Sequence, residues 1–464
     1  NQPNRIAHNS GSSDREFLAK EPIGKLLAKL ALPTVAAQMI NMLYNIVDRI
    51  YIGHIPQNGS LALTGVGVCM PLIMIISAFA ALVGNGGAPR ATIYMGKNKK
   101  DDAEKILGNC FTMQIILSVI LTAVLLIWNR DLLLAFGASK NTINYATSYM
   151  NIYAIGTIFV QLTLGMNAFI TAQGFAKEGM LSVLIGAIAN IILDPIFIFA
   201  LHMGVKGAAL ATIISQGCSC IWVLSFLFGK RTTLRIRVKN LGLQASYILP
   251  CLALGSAVFI MQGSESIISV CFNSSLLKYG GDIAVGAMTI LSSVMQFSML
   301  PLQGLSQGAQ PIMSYNYGAR NIDRMKKTFK LHLVISLIYS TLFWLFVQLF
   351  PATFAGIFSS DPELVSFTAG ALRIYCGAMF LFGIQLACQM TFVAIGYAVC
   401  SIIVAVVRKF VLLLPLIFIV PMFVSNKTMG VYMAEPIADA IAVTFTAILF
   451  SIQFRKALRK LEKA

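Results

Sequence analysis

Long apolar runs, separated by short polar or Gly/Pro-rich breaks, recur along almost the whole chain. An α-helix rises about 1.5 Å per residue, so about 20 apolar residues cross the hydrocarbon core of a bilayer. Twelve runs reach that length. The first six cover about 26–53, 62–88, 104–128, 148–172, 179–201 and 206–228, and the second six about 247–278, 283–312, 328–351, 365–395, 399–424 and 430–453. The pattern predicts an all-α polytopic membrane protein with twelve transmembrane helices.

The two sets of six read as repeats of one another. Leu32-Pro33 is echoed by Leu249-Pro250, and Asp48 and Glu265 each lie fifteen residues after their proline. VGNGGAPRATIYMG (83–96) matches LSQGAQPIMSYNYG (305–318) at Gly86/Gly308, Pro89/Pro311 and Gly96/Gly318. IILDPIFIF (191–199) matches VLLLPLIFI (411–419), and VKGAALAT (205–212) matches TMGVYMAE (428–435). Each half holds an even number of spans, so both share one orientation. The expected architecture is two pseudo-symmetric six-helix lobes, related by an axis along the membrane normal, around a central cavity. The organisation that follows is a disordered tail over 1–22, an amino-terminal lobe over 23–228, a basic linker over 229–246 (GKRTTLRIRVKNLGLQAS), a carboxy-terminal lobe over 247–455 and a basic tail over 456–464.

Composition agrees with a membrane protein: 57% of residues are hydrophobic, 11% are charged, and the mean hydropathy is +0.77. The net charge of +17 would suggest nucleic acid in a soluble protein. Its placement points elsewhere. Lys and Arg crowd into alternate gaps between spans, at 97–100, 230–239, 320–330 and 455–463, while the intervening gaps are nearly bare. That alternation is the positive-inside rule, and it predicts that both termini, the linker and the two tails are cytoplasmic. The nine cysteines all lie in or beside apolar runs without a CxxC spacing, which predicts packing residues. The thirty Phe and twenty-one Met residues suit an adaptable apolar cavity as well as lipid-facing packing.

The polar residues inside the spans carry the functional reading. A carboxylate within hydrocarbon costs about 2.5–3.5 kcal/mol even on lenient insertion scales, so Asp48 needs a partner or water. Counted from the outer end of each helix, Asp48 lies about 8–9 Å deep, Asp194 about 10–12 Å and Thr212 about 9 Å. Three polar side chains from helices one, five and six thus share one depth. Tyr44 and Asn190 sit one turn before Asp48 and Asp194 on the same helix faces. Two carboxylates with hydroxyl and amide oxygens suit a proton or Na⁺ as coupling ion. Two like charges at close range repel each other, and a cation arriving from outside relieves that repulsion. Pro33 removes a backbone donor from helix one and marks its bending point.

In the second half Glu265 stands for Asp48 and Glu435 for Thr212, while Leu414 replaces Asp194. Arg408 and Lys409 form a basic pair inside helix eleven. Two arrangements are open: their stems snorkel to the inner surface, or Arg408 pairs with Glu435 or Glu265. Asn167 counts to about 25 Å below the outer end, a place in the cavity wall rather than beside the carboxylates.

Taken together, NMLYNIVDRIYIGH (41–54), GNGGAPRATIYMG (84–96), NIILDPIFIF (190–199), VKGAALATIIS (205–215), LPLQGLSQGAQPIMSYNYGA (300–319) and RKFVLLLPLIFIV (408–420) resemble the multidrug and toxic compound extrusion (MATE) family, bacterial type, over about residues 20–455. The resemblance implies that Asp48, Asn190, Asp194 and Thr212 bind the coupling cation, and that Tyr44, Asn167 and Glu265 face the substrate cavity. It also implies that helix one bends at Pro33. Glu265 matches an acid used for sodium in one branch of the family. The helix-ten aspartate of that branch has no counterpart here, where only Gln385 and Gln389 are available.

The function that the resemblance implies is secondary active export of cationic, aromatic or amphipathic drugs in exchange for H⁺ or Na⁺. No cofactor, resident metal or nucleic acid is expected, and the chain is expected to work as a monomer in a bacterial inner membrane. The alternative is a lipid-linked oligosaccharide flippase of the same overall shape. It would need a strongly cationic cavity and commonly has extra helices. No G-x-x-x-x-G-K-[ST] loop is present, which excludes a primary pump. An enzyme is not expected, because H-E-x-x-H and G-x-S-x-G are absent and there are only four histidines.

Overall fold

Proline and glycine positions within the apolar runs decide how the spans are cut. The computed structural model describes residues 17–464, and those residues form helices and connecting turns without a strand. In chain order the spans are α1 (Ile23–Gly53), α2 (Gly59–Gly96) and α3 (Lys100–Ala135), then α4 (Ile143–Ile155 and Thr157–Ala172). Next come α5 (Ala176–Pro195, continued by a π-helical turn Ile196–Ala200) and α6 (Val205–Phe228). The helix Ala245–Gly318 supplies both α7 and α8. It is followed by α9 (Ile322–Leu349), α10 (Pro362–Tyr375 and Met379–Ala394), α11 (Ala398–Phe423) and α12 (Lys427–Lys463).

At 74 residues Ala245–Gly318 would be about 110 Å long if straight, far more than one bilayer. It breaks at Gly281, where φ is 70° and ψ −160°, a left-handed conformation that glycine adopts without a steric penalty. The arms 245–280 and 282–318 are α7 and α8. Among the described residues nine helices are long and apolar enough to span a membrane, and two further pairs qualify across bends of 58° and 45°. With the folded helix taken as two spans and each bent pair as one, the total is the expected twelve. Their outer faces carry open apolar side chains such as Ile127, Ile221 and Met422, surface that is stable against lipid and unfavourable in water.

The repeat is visible in the backbone. The fourth helix of each half is the bent one: α4 turns at Gly156 and α10 between Tyr375 and Met379. The fifth helix of each half contains a π-helical stretch, Ile196–Ala200 in α5 and Val407–Leu413 in α11. The seam between halves is also symmetric. A Cβ on Gly86 of α2 would lie 1.9 Å from the Cys251 carbonyl oxygen of α7, and one on its repeat-mate Gly308 of α8 would lie 2.5 Å from Cα of Ala31 on α1. A Cβ added to Gly96 would lie 2.1 Å from Tyr315 O, and one added to Gly318 would lie 2.0 Å from Ile93 O. Only glycine permits backbones to approach this closely.

The segments outside the spans are ordered in part. Of the tail 1–22, residues 1–16 lie outside the described residues, but Phe17–Lys20 forms a helical turn with Leu18 buried. Arg324 holds it by donating to the carbonyls of Glu21 (2.6 Å) and Leu18 (2.9 Å). The linker 229–246 is packed down: the Gln173 side-chain oxygen accepts from Thr232 Oγ1 and from the Thr233 and Leu234 amides, and Arg237 pairs with Glu104 at 2.7 Å. Residues 456–463 continue α12 as helix.

Candidate functional site

In the first half, α1 and α5 pack side by side so that Asp48 meets Asn190 and Asp194. Their spacing of four along α5 brings Asn190 Nδ2 to 3.3 Å from Asp194 Oδ2, where it donates. The carboxyl groups of Asp48 and Asp194 lie within hydrogen-bonding reach of each other, and Asn190 reaches Asp48 as well. Asp48 is 7% exposed and Asp194 is fully buried. Neither forms an ion pair among the described residues. One oxygen each of Asp48, Asn190 and Asp194 (Oδ1 in every case) is buried without a hydrogen-bond partner. Buried oxygens without partners, two of them on carboxyl groups, are a chemistry suited to a proton or a small hard cation. No group of three His, Cys, Asp or Glu side chains among the described residues converges as a transition-metal site.

The other expected residues divide around this centre. Tyr44 stands beside both aspartates and bonds to Gln216 of α6. Thr212 donates to its own helix at Ala208 O (3.0 Å) and meets the hydroxyl of Tyr149 on α4, so it touches the rim rather than the carboxyl pair. Tyr149 and Tyr153, stacked with ring centroids 6.1 Å apart, wall the site, and the sequence reading missed both together with Gln216. Tyrosine and glutamine in an apolar span give no signal of their own until a partner is known. Asn167 stands apart. It donates to Gly179 O at 3.3 Å and ties α4 to α5. Pro33 lies within α1, which runs unbroken from Ile23 to Gly53.

The second half holds a different cluster. Lys409 on α11 donates to Glu265 Oε1 on α7 at 2.5 Å, and Arg408 Nε is 3.4 Å from Asp439 Oδ1 on α12. Arg408 therefore pairs with neither Glu435 nor Glu265, and neither basic side chain snorkels, since both are buried. The π-helical stretch of α11 makes this arrangement: its extra residue per turn turns two successive bases inward. Arg408 also lies over the Phe382 ring at 5.2 Å. Asp439 was missed, although it follows Glu435 by four residues on one face of α12. Glu265 is the accessible acid of this cluster, with 46% of its side-chain surface open.

Comparison with known proteins agrees with this architecture. The pattern of the MatE family matches residues 33–196 and 257–419, one segment in each repeat. The multidrug export protein MepA of Staphylococcus haemolyticus is 26% identical over 368 residues, covering 79% of this chain and 80% of that protein. MepA of Staphylococcus aureus is 24% identical over 411 residues, covering 87% and 88%. Among solved structures, a MATE protein in the bent conformation superposes with a TM-score of 0.90 at 23% identity, over 97% of this chain and 99% of that one. The outward-facing conformation of a multidrug resistance MATE family transporter gives 0.87 at 24% identity, over 96% and 98%. Two repeats, twelve spans and a family pattern that covers both halves lead to one conclusion: the chain belongs to the MatE family of membrane transporters.

Proposed function

We propose that the protein is a secondary active exporter of cationic, aromatic or amphipathic small molecules, driven by inward movement of H⁺ or Na⁺ through alternating access. The observation that carries this reading is the Asp48–Asp194 pair: two buried carboxyl groups from two helices, without an ion-pair partner among the described residues and each with an orphaned oxygen. Such a pair carrying two charges is unstable in a low dielectric, so it takes up a cation and changes conformation when the cation leaves. Asp48 and Tyr44 are on α1, and α1 lacks one backbone hydrogen bond at Pro33. A change of charge at Asp48 therefore acts on the helix best able to bend, and bending reshapes the cavity into which Glu265 opens. Competition between coupling ion and substrate for that space gives antiport. The names of the MepA relatives support multidrug export as the transported class.

The placement of Lys and Arg supports an orientation with both termini in the cytoplasm. A flippase for a pyrophosphate-linked lipid is disfavoured by three acids in and around the cavity, and the chemistry on offer is transport rather than catalysis. The deciding experiment is efflux of ethidium from proteoliposomes under a pH gradient alone and a sodium gradient alone. Efflux that follows one gradient identifies the coupling ion. Efflux that follows neither refutes the proposal.

A further inference from the structure

The charged cluster of the second half does not balance. Three acids, Glu265, Glu435 and Asp439, oppose two bases, Arg408 and Lys409. Asp439 has Arg408 and Glu265 has Lys409, while Glu435 forms no ion pair among the described residues. Yet Glu435 is only 4% exposed. The groups that face it are Asp439 on its own helix, Arg408 and Lys409 from α11, Glu265 from α7, and Tyr375 with Cys376 from α10. A buried cluster is stable when neutral, and this one is neutral when a single carboxyl carries a proton. The carboxyl without a cation is its place. Lys409 thus lies beside two acids of unlike character: Glu265, with 46% of its side chain open, and Glu435, buried with 4% exposed.

We propose that Lys409 is a switch between Glu265 and Glu435 that exchanges an organic cation for a proton in the carboxy-terminal half. An entering cation pairs with Glu265, the Lys409 ammonium turns to Glu435, and the Glu435 proton passes out to water on the open side of the cluster, at Glu265. One positive charge enters and one leaves. The only covalent bond broken is the O–H of Glu435, and the one formed is the O–H of the accepting water. When Glu435 is protonated again, Lys409 returns to Glu265 and displaces the cation, which is release. Lysine suits the moving part, being a compact charge on a flexible four-carbon stem. Arg408 suits the fixed part, because Asp439 and the face of Phe382 hold its planar head. The built-in ammonium also fills the position beside Glu265 that a sodium ion would need.

This inference rests on the exporter reading, and its test separates the two. Tetraphenylphosphonium has no titratable group, so protons released when it binds to the purified full-length protein in weakly buffered detergent come from the protein. Wild type is expected to release about one proton more per bound cation than Glu435→Gln, an isosteric change. The same difference is expected in an Asp48→Asn/Asp194→Asn background. In Lys409→Met, Glu265 loses its cation and itself takes a proton, so proton release on binding is expected to persist in Lys409→Met/Glu435→Gln although it is lost in Glu435→Gln alone. Equal proton release from wild type and Glu435→Gln, with binding intact, would overturn the switch while leaving the exporter reading standing. Absence of binding to wild type would overturn both.

Discussion

The hydroxyl of Thr34 on α1 donates to the carbonyl of Gly304 on α8 at 2.6 Å, one residue after Pro33 and across the seam between the two halves. The proline turn of α1 is therefore fastened to the opposite lobe at a backbone atom. Gly304 allows this, since a Cβ there would lie 2.6 Å from Cα of Val35. Gly304→Val and Gly308→Val are expected to lose the monodisperse folded species in detergent chromatography. Gly24→Ala and Gly263→Ala, where an added Cβ meets nothing within 4 Å, should behave as wild type. Thr34→Val removes one hydrogen bond, about 1 kcal/mol, and is expected to lower the thermal midpoint modestly.

Asp48→Asn and Asp194→Asn keep size and hydrogen bonding but remove charge. Each is expected to reduce gradient-driven ethidium efflux from proteoliposomes by at least tenfold, with an unchanged chromatographic profile. Efflux within twofold of wild type for both variants would disprove a coupling role for the pair.

Removing Asp439 leaves Arg408 buried and without its ion-pair partner. Asp439→Leu should destabilise the protein by about 3–5 kcal/mol, seen as a lower thermal midpoint. Replacing both partners removes the uncompensated charge, so Arg408→Met/Asp439→Leu is expected to regain most of the loss. A double variant as unstable as the single one would show that the pair is not the stabilising unit.

Gln173 satisfies three donors of the linker with a single oxygen. Gln173→Ala removes this shared acceptor, costing about 1 kcal/mol or more, and should free the linker. Limited trypsin digestion is the measurement, with faster cleavage after Arg235 and Arg237 as the expected result and wild-type rates as the contrary one.

Much of this molecule was legible before its structure. Counting depth along regular helices brought Asp48 and Asp194 together because helical rise hardly varies, and the matched prolines and glycines announced the two-fold. What escaped was set by backbone departures that apolar runs do not encode. The bend at Gly156 lies within one continuous hydrophobic stretch, and the π-helical turn in α11 rotates Arg408 away from the partner that ordinary helical geometry suggests. Asp439 is a different case. The four-residue spacing that linked Tyr44 to Asp48 would have linked it to Glu435.

The reversal at Gly281 also bears on how the chain is built. Because α7 and α8 share one residue as their turn, there is no loop to be left on either side of the membrane while one arm inserts alone. The two must enter the bilayer as a single closed hairpin, its direction chosen by the basic residues at its open ends, 230–239 ahead of α7 and 320–330 behind α8. A reporter spliced between those arms would not probe the topology. It would prise apart the wedge on which the second lobe is assembled.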